Sequence, residues 1–401
     1  MKYGRKNQVS LNPLNYNICL LGEAKIGKTT VVHEVCQKLV GEDGYLFCEM
    51  GAEHGADAIQ GIPYINCPTW SDDYDELENT IGIQTLVEDI VDNKSADYPD
   101  LKTIVIDTYD FFIELAEAES IRQYNKQCRE RGDGDKVVKT INAAWGGYGR
   151  GEKEAIKLMF ELVDNLASVG VHTIFIGHTK QKEVSDVVSG NAYSILTCDM
   201  QNNYFNALKK KLHFLAVAYY DRELVASGKK KKVNNKDVDI KKISSESRKI
   251  KFRSDDYSVD SGSRFADIVD EIPMDADEFI RALTDAIESE LSKSGKSVTE
   301  VKKEQSKIEK AKEKKAVEAE KKAKSERELE DTVEAIVEFF QNNKSNLTVV
   351  KPILKEIKNL GYDASYPLLS MYNSCIEKSN PIKLCGITSC TWFSYSNKIL
   401  T

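Results

Sequence analysis

Residues 22–29 read Gly22-Glu23-Ala24-Lys25-Ile26-Gly27-Lys28-Thr29, the complete G-x-x-x-x-G-K-[ST] phosphate-binding pattern. Glycines at these positions let the backbone wrap tightly. Successive N–H groups, and the start of the helix that follows, can then point at phosphate oxygens. Lys28 is spaced to reach the β- and γ-phosphates, and the Thr29 hydroxyl to ligate Mg2+. With Thr30 beside it, this run is the candidate site for a nucleoside triphosphate, taken as ATP.

Three further positions carry chemistry that such a loop needs. Asp107 closes the apolar run Thr103-Ile104-Val105-Ile106-Asp107, where a carboxylate at a strand end can hold Mg2+ jointly with Thr29. Glu49 closes Tyr45-Leu46-Phe47-Cys48-Glu49-Met50 and is the candidate to orient or deprotonate the attacking water; Glu53, four residues on, is the alternative. His178 follows Ile174-Phe175-Ile176-Gly177 and could contact the γ-phosphate and report its loss to the segment beyond.

The elements that must position these groups can be read from apolar runs. Residues 16–21, 45–50, 103–107, 171–177 and 214–220 are predicted strands, and residues 30–39 the helix after the phosphate loop. Strands alternate with helical patterns from residue 16 to about 225, the signature of a parallel α/β sheet. The clearest helix runs from Glu152 to Ala167, with Ile156, Met159, Phe160 and Val163 at helical spacing. Strands Glu223–Val225 and Lys249–Phe252 are predicted to flank the Gly228–Lys232 run as a lysine-rich antiparallel extension. A helix is expected over Ala276–Ser292, capped by Asp275 or Asp277.

The expected domains are a core over residues 1–292, a charged helical linker over 293–330, a small helical unit over 331–379 and an unassigned tail over 380–401. The linker is almost pure Lys, Glu, Ala and Ser, with pairs such as Glu318/Lys322 at i,i+4. It has no leucine between Leu291 and Leu329, so no coiled-coil seam. The helical unit carries Val333, Ile336, Val337 and Phe340, then Val350, Ile353, Leu354 and Ile357, before Gly361.

Taken together, the early phosphate loop, Glu49, Ile106-Asp107-Thr108 and Gly177-His178-Thr179-Lys180 make the chain resemble the phage-encoded AAA-domain ATPases of the RecA-like group, in particular the Sak-type single-strand annealing proteins. Trp145-Gly146-Gly147-Tyr148-Gly149-Arg150-Gly151 and Gly262-Ser263-Arg264-Phe265 add to the likeness, which covers residues 14–285. The resemblance implies a RecA-like P-loop core, Mg2+-dependent ATP hydrolysis stimulated by DNA, and a ring or filament of identical subunits with ATP between them. It further implies single-stranded DNA as partner, with a role in recombination, annealing or repair. A His stands at residue 178 where that group usually has Gln.

By the same analogy, residues 129–151 and 179–203, two long polar segments, would face DNA. Lys136, Lys139, Arg150, Lys180 and Lys182 would meet phosphates, Trp145 and Tyr148 would stack on bases, and Lys229 and Lys230 form a further basic candidate. Arg248, Lys249, Lys251 and Arg264 lie where such assemblies place cations acting on a neighbour's ATP, and Arg264 is the first choice. A single-strand-binding or replication protein would dock on the C-terminal unit. Rival readings are a helicase- or loader-type motor, a small-molecule kinase, and a nucleotide-gated interaction protein with little turnover.

Bulk composition fits this frame. The formal charge is −8 over 401 residues, so any nucleic-acid surface must be a local patch. Nine cysteines are scattered with no C-x-x-C pair. Most sit in apolar runs as small hydrophobes, and Cys385 and Cys390 have no His or second Cys pair near them to complete a metal site. Reduced cysteines, with no signal peptide or membrane span expected, predict a cytoplasmic protein, in a bacterial host if phage-encoded.

Overall fold

The computed structural model describes residues 9–51, 55–185, 192–233, 236–253 and 259–293, without the side chains of residues 224 and 226–242. All of these fall in the first of the two units into which the chain divides, Met1–Lys314 and Lys315–Thr401. The expected linker beyond Lys293, the helical unit, Cys385 and Cys390, the tail and Glu53 lie outside the described residues.

The seven-strand parallel part of the sheet consists of β1 (Ile18–Gly22), β2 (Tyr45–Met50), β3 (Tyr64–Thr69), β4 (Thr80–Gly82), β5 (Thr103–Asp107), β6 (His172–Ser185) and β8 (Phe214–Val233). Their spatial order is β8-β1-β6-β5-β2-β3-β4. Every neighbouring pair in that order is parallel. β7 (Ala192–Cys198) pairs antiparallel with the far half of β6. β9 (Lys236–Lys251), β10 (Gly262–Ser263) and β11 (Glu271–Pro273) add an antiparallel edge beside β8. β1 and β5 are buried at every position, which is why they read as unbroken apolar runs rather than alternating ones.

Helices cover both faces. On one lie α1 (Lys28–Val40) and α6 (Ala276–Ser292), whose Val31, Val35, Phe279 and Leu283 pack against Leu20, Phe47, Val105 and Ile176. On the other lie α2 (Ile83–Asn93), α3 (Tyr109–Glu130), α4 (Arg150–Ser168) and α5 (Asn202–Lys211), packed on Cys19, Leu21, Ile106 and Phe175. Adjacent residues of β1 thus feed opposite cores, as a pleated strand must. The α6 cap is Asp275, whose carboxylate accepts from the Asp277 and Glu278 N–H groups. Among the described residues no helix is long and apolar enough to cross a membrane.

This is the predicted RecA-like P-loop core, with differences in extent. β1 starts at Ile18, because Tyr16 follows a 3-10 turn over Pro13–Asn15 and turns its hydroxyl to the Ser10 carbonyl. β3, β4 and β11, short or interrupted by polar residues, are strands that the apolar runs did not mark. Of residues 179–203, expected as a long polar segment facing DNA, 179–185 and 192–198 are the paired strands of the β6–β7 hairpin, and α5 starts at Asn202. Lys180-Gln181-Lys182-Glu183 are polar on both faces there, so no alternation marks the strand. Residues 129–151 form two 3-10 turns, Gly134–Lys136 and Ala144–Gly146. They are tied to α3 by Asn125, which exchanges 2.8 Å hydrogen bonds with both the N–H and the carbonyl of Val138.

Candidate functional site

β1 lies where the chain's connections diverge. From β1 the chain passes to β2 on one side, while from the β6–β7 hairpin it returns over β1 to β8 on the other. Open α/β sheets bind ligands at the C-terminal ends of the strands at such a point, and the phosphate loop begins there. Gly22 stands opposite His178 on one side and Ala218 on the other. A Cβ on Gly22 would come within 3.1 Å of the Ala218 Cβ and carbonyl oxygen, so glycine lets the loop leave the sheet at this closeness. At the loop's other end Gly27 has φ 106° and starts α1 with no side-chain cap. The first N–H groups of α1 have no partner within the helix, and the cradle for an anion is the helix end itself.

Lys28 is buried, and its Nζ lies 3.0 Å from both the Gly22 and Glu23 carbonyl oxygens. The ammonium is thereby held over the Glu23 end of the loop. The Thr29 hydroxyl donates to Asp107 Oδ2 at 2.8 Å. Two hard oxygen donors from α1 and β5 thus meet at one point, and this donor chemistry suits Mg2+. The cradle and the oxygen pair together fit a magnesium-bound nucleoside triphosphate.

Glu49 stands in register with Asp107 on the neighbouring strand, and both are almost fully buried. Oε1 of Glu49 accepts from the Ala56 N–H at 2.6 Å. That contact also holds the adjoining Gly55 backbone against α1, where a Cβ on Gly55 would lie 3.1 Å from the Thr29 hydroxyl oxygen. The loop after β2 is therefore tied to the metal-side threonine through Glu49.

His178 is mostly buried, with its Nδ1 at 2.6 Å from Asp110 Oδ2. Asp110, in the first turn of α3, was not singled out from sequence. Its position three residues after Asp107 was the available signal, since a helix starting at Tyr109 brings residue 110 back over the strand ends. Arg248, one of the four cations expected to act on a neighbour's ATP, instead reaches its own loop: from β9 its Nη1 donates to the Ile26 carbonyl at 3.0 Å. A Cβ on Gly27 would stand 3.0 Å from that same nitrogen, so the guanidinium clamps the back of this protein's own loop.

Arg264 is elsewhere. It follows β10, which pairs with the start of β8 at Phe214, and it donates to the Lys210 carbonyl. This is the edge of the sheet opposite the phosphate loop. Lys249 bridges Asp221 and Glu271 at 2.8 and 2.7 Å.

The residues expected to meet DNA are divided by the fold. Lys180 and Lys182 leave the sheet on β6 directly beyond His178, and Lys180 pairs with Asp199 at 3.0 Å. Lys136, Lys139 and Arg150 are exposed in the 129–151 segment, with Lys136 paired to Asp133 at 3.1 Å. Trp145 is half-buried against Tyr124, its indole N–H directed at Ser120. Tyr148 is 97% exposed on a turn whose residues 145–149 all have positive φ. Lys229 and Lys230 belong to β8 by backbone, and their side chains lie outside the description. Among the described residues no group of three or more His, Cys, Asp or Glu forms a metal cluster.

A search of curated proteins returned no match. Residues 14–264 match a family model described as an AAA domain, a span that takes in the phosphate loop, Glu49, Asp107 and His178. The match spans more than half of the chain, which therefore belongs to the AAA-domain family and is an AAA-type P-loop ATPase.

Proposed function

We propose that this ATPase binds single-stranded DNA in an ATP-dependent manner and acts in strand annealing, recombination or repair. When bound, Mg2+-ATP supplies the phosphoryl bond whose cleavage drives the cycle. Lys28 neutralises charge on the phosphates, Thr29 and Asp107 hold the cation, and Glu49 orients the attacking water. Asp110 fixes the tautomer and rotation of His178, which would contact the terminal phosphate.

The observation that carries the DNA reading is the continuity of β6. One uninterrupted strand runs from His178, beside Gly22, into the exposed hairpin bearing Lys180 and Lys182. A change at the terminal phosphate can therefore be passed to a basic surface without crossing a flexible joint. The exposed Tyr148 ring offers a stacking face. β8 and β9 also continue past the sheet as a two-stranded ribbon into the Lys229–Lys232 run, a local basic feature on an acidic chain. We further propose that copies assemble with ATP between them, so that Arg264, remote from its own loop, serves a neighbour, and that the protein works in the cytoplasm.

The test is ATP turnover and oligonucleotide anisotropy at low salt, for wild type, Lys28→Ala and Glu49→Gln. Single-stranded DNA is expected to bind in the ATP state and to raise turnover several-fold. Lys28→Ala is expected to lose both. If DNA neither binds nor changes the rate, the DNA reading fails. ATP-driven directional strand separation would instead establish a motor.

A further inference from the structure

Beside the phosphate loop the structure contains a cleft of about 420 Å3. Thr179 and Gln181 of β6 and Ser194 of β7 form one wall, Tyr219 and Tyr220 of β8 another, and Glu23 its edge. The volume lies within the range of small-ligand sites, roughly 300–1,000 Å3.

Its location relative to the nucleotide follows from Lys28. The ammonium that reaches the β- and γ-phosphates sits at the Gly22 and Glu23 carbonyls, so Glu23 marks the γ-phosphate end of the loop. The cleft would therefore lie beyond the terminal phosphate of a nucleotide held by this loop, at the end away from its base.

Its chemistry is selective. Among the described lining residues Glu23 is the one Asp, Glu, Lys, Arg or His, and an acidic edge disfavours a phosphate and suits a neutral group bearing N–H donors. The Thr179 hydroxyl oxygen is shielded from solvent and has no hydrogen-bond partner in the protein, so a polar ligand group that reached it would satisfy it. Ile195, Leu196 and Val259 supply apolar surface beside the two tyrosines. Flat, neutral, apolar on its faces and hydrogen-bonding on its edge describes a nucleobase.

We propose that this cleft accepts one unstacked base of a bound single strand. Because Glu23 belongs to both the cleft and the phosphate loop, occupancy by a base is felt at the γ-phosphate end. This inference rests on the DNA reading above and names where that strand is gripped.

The experiment compares binding of two fluorescent oligonucleotides of about 20 residues to the full-length protein with a non-hydrolysable ATP analogue: one of mixed sequence, one with abasic sugars throughout. The variants are Ser194→Trp, which fills the cleft from an exposed hairpin position, and Thr179→Val, which removes the hydroxyl at nearly constant shape. Ser194→Trp is expected to bind the normal strand roughly tenfold more weakly, in line with loss of one stacked base, yet to match wild type on the abasic strand. Thr179→Val should show the same pattern at about threefold. Binding of a fluorescent ATP analogue without DNA should be unchanged in both.

Wild-type affinity of Ser194→Trp for the normal strand would overturn the proposal. So would loss of ATP binding, which would assign the cleft to the nucleotide's own base, or transfer of phosphate to a small acceptor blocked by Ser194→Trp. If wild type binds neither strand, the DNA reading fails first and the cleft assignment falls with it.

Discussion

The Thr29 hydroxyl reaches Asp107 Oδ2 at 2.8 Å although the strand that carries Asp107, β5, is separated from β1 by β6. The contact depends on α1 rising from the loop back across the ends of the strands. It makes the loop and the Asp107 strand end one device. Asp107→Asn retains an oxygen that can accept from Thr29 but removes the charge a cation needs. Turnover is expected to fall by about a hundredfold or more, while nucleotide binding without Mg2+ persists. Fluorescent-nucleotide titrations with and without Mg2+ separate the two. Equal Mg2+ enhancement of binding in wild type and variant would refute the metal role.

Substitution can divide the contact that Glu49 makes to the Ala56 N–H from the role proposed for it at the attacking water. Glu49→Gln keeps an acceptor for the Ala56 N–H and loses the negative charge, so turnover should drop by about 10²–10⁴ with little change in melting temperature. Glu49→Ala also strands the Ala56 N–H, which is directed at Oε1 at 2.6 Å. It should therefore cost a further roughly 1–3 kcal/mol of stability. Calorimetry of both variants beside steady-state kinetics is the check. A Gln variant that hydrolyses ATP normally would move the catalytic role to the segment around Glu53.

These two carboxylates show what was legible from sequence. Asp107 and Glu49 end strands so apolar that the chain could place them only at the rim of a buried sheet. Asp110 was illegible as a site group, and Arg248, read as a cation for a neighbour's ATP, was illegible as a contact of its own loop, because both contacts arise from tertiary approach. Asp110 meets His178 across 68 positions, and Arg248 meets Ile26 across 222. No local pattern encodes such distances. The β6–β7 hairpin was missed for a different reason: with polar residues on both faces, its pairing leaves no alternation to read.

Arg248 supports the loop from behind, through the Ile26 carbonyl, and so should influence binding more than chemistry. Arg248→Ala is expected to raise the KM for ATP roughly tenfold, the value of one charged hydrogen bond, with kcat within about threefold of wild type. Arg248→Lys should recover part of the loss. A fall in kcat at unchanged KM would instead place this guanidinium at the transferred phosphate.

His213 should make the fold itself pH-sensitive at the edge opposite the nucleotide. Its Nδ1 accepts from the Asn17 N–H at 3.3 Å, a role open only to the neutral ring. Burial first, and then the charges of Arg264 and His172, push its pKa down from 6.5 to about 4. Between those values the unfolded chain binds a proton that the folded protein does not. The contribution is thus complete above about pH 6.5 and is lost as pH falls toward 4, with an upper bound of about 3 kcal/mol at 1.36 kcal/mol per unit. His213→Asn offers the Asn17 N–H an acceptor that does not titrate. Chemical denaturation at stepped pH should therefore show a shallower loss of stability in the variant over this window. Identical slopes for variant and wild type would mean that His213 does not carry the effect, and that carboxylates alone govern acid unfolding.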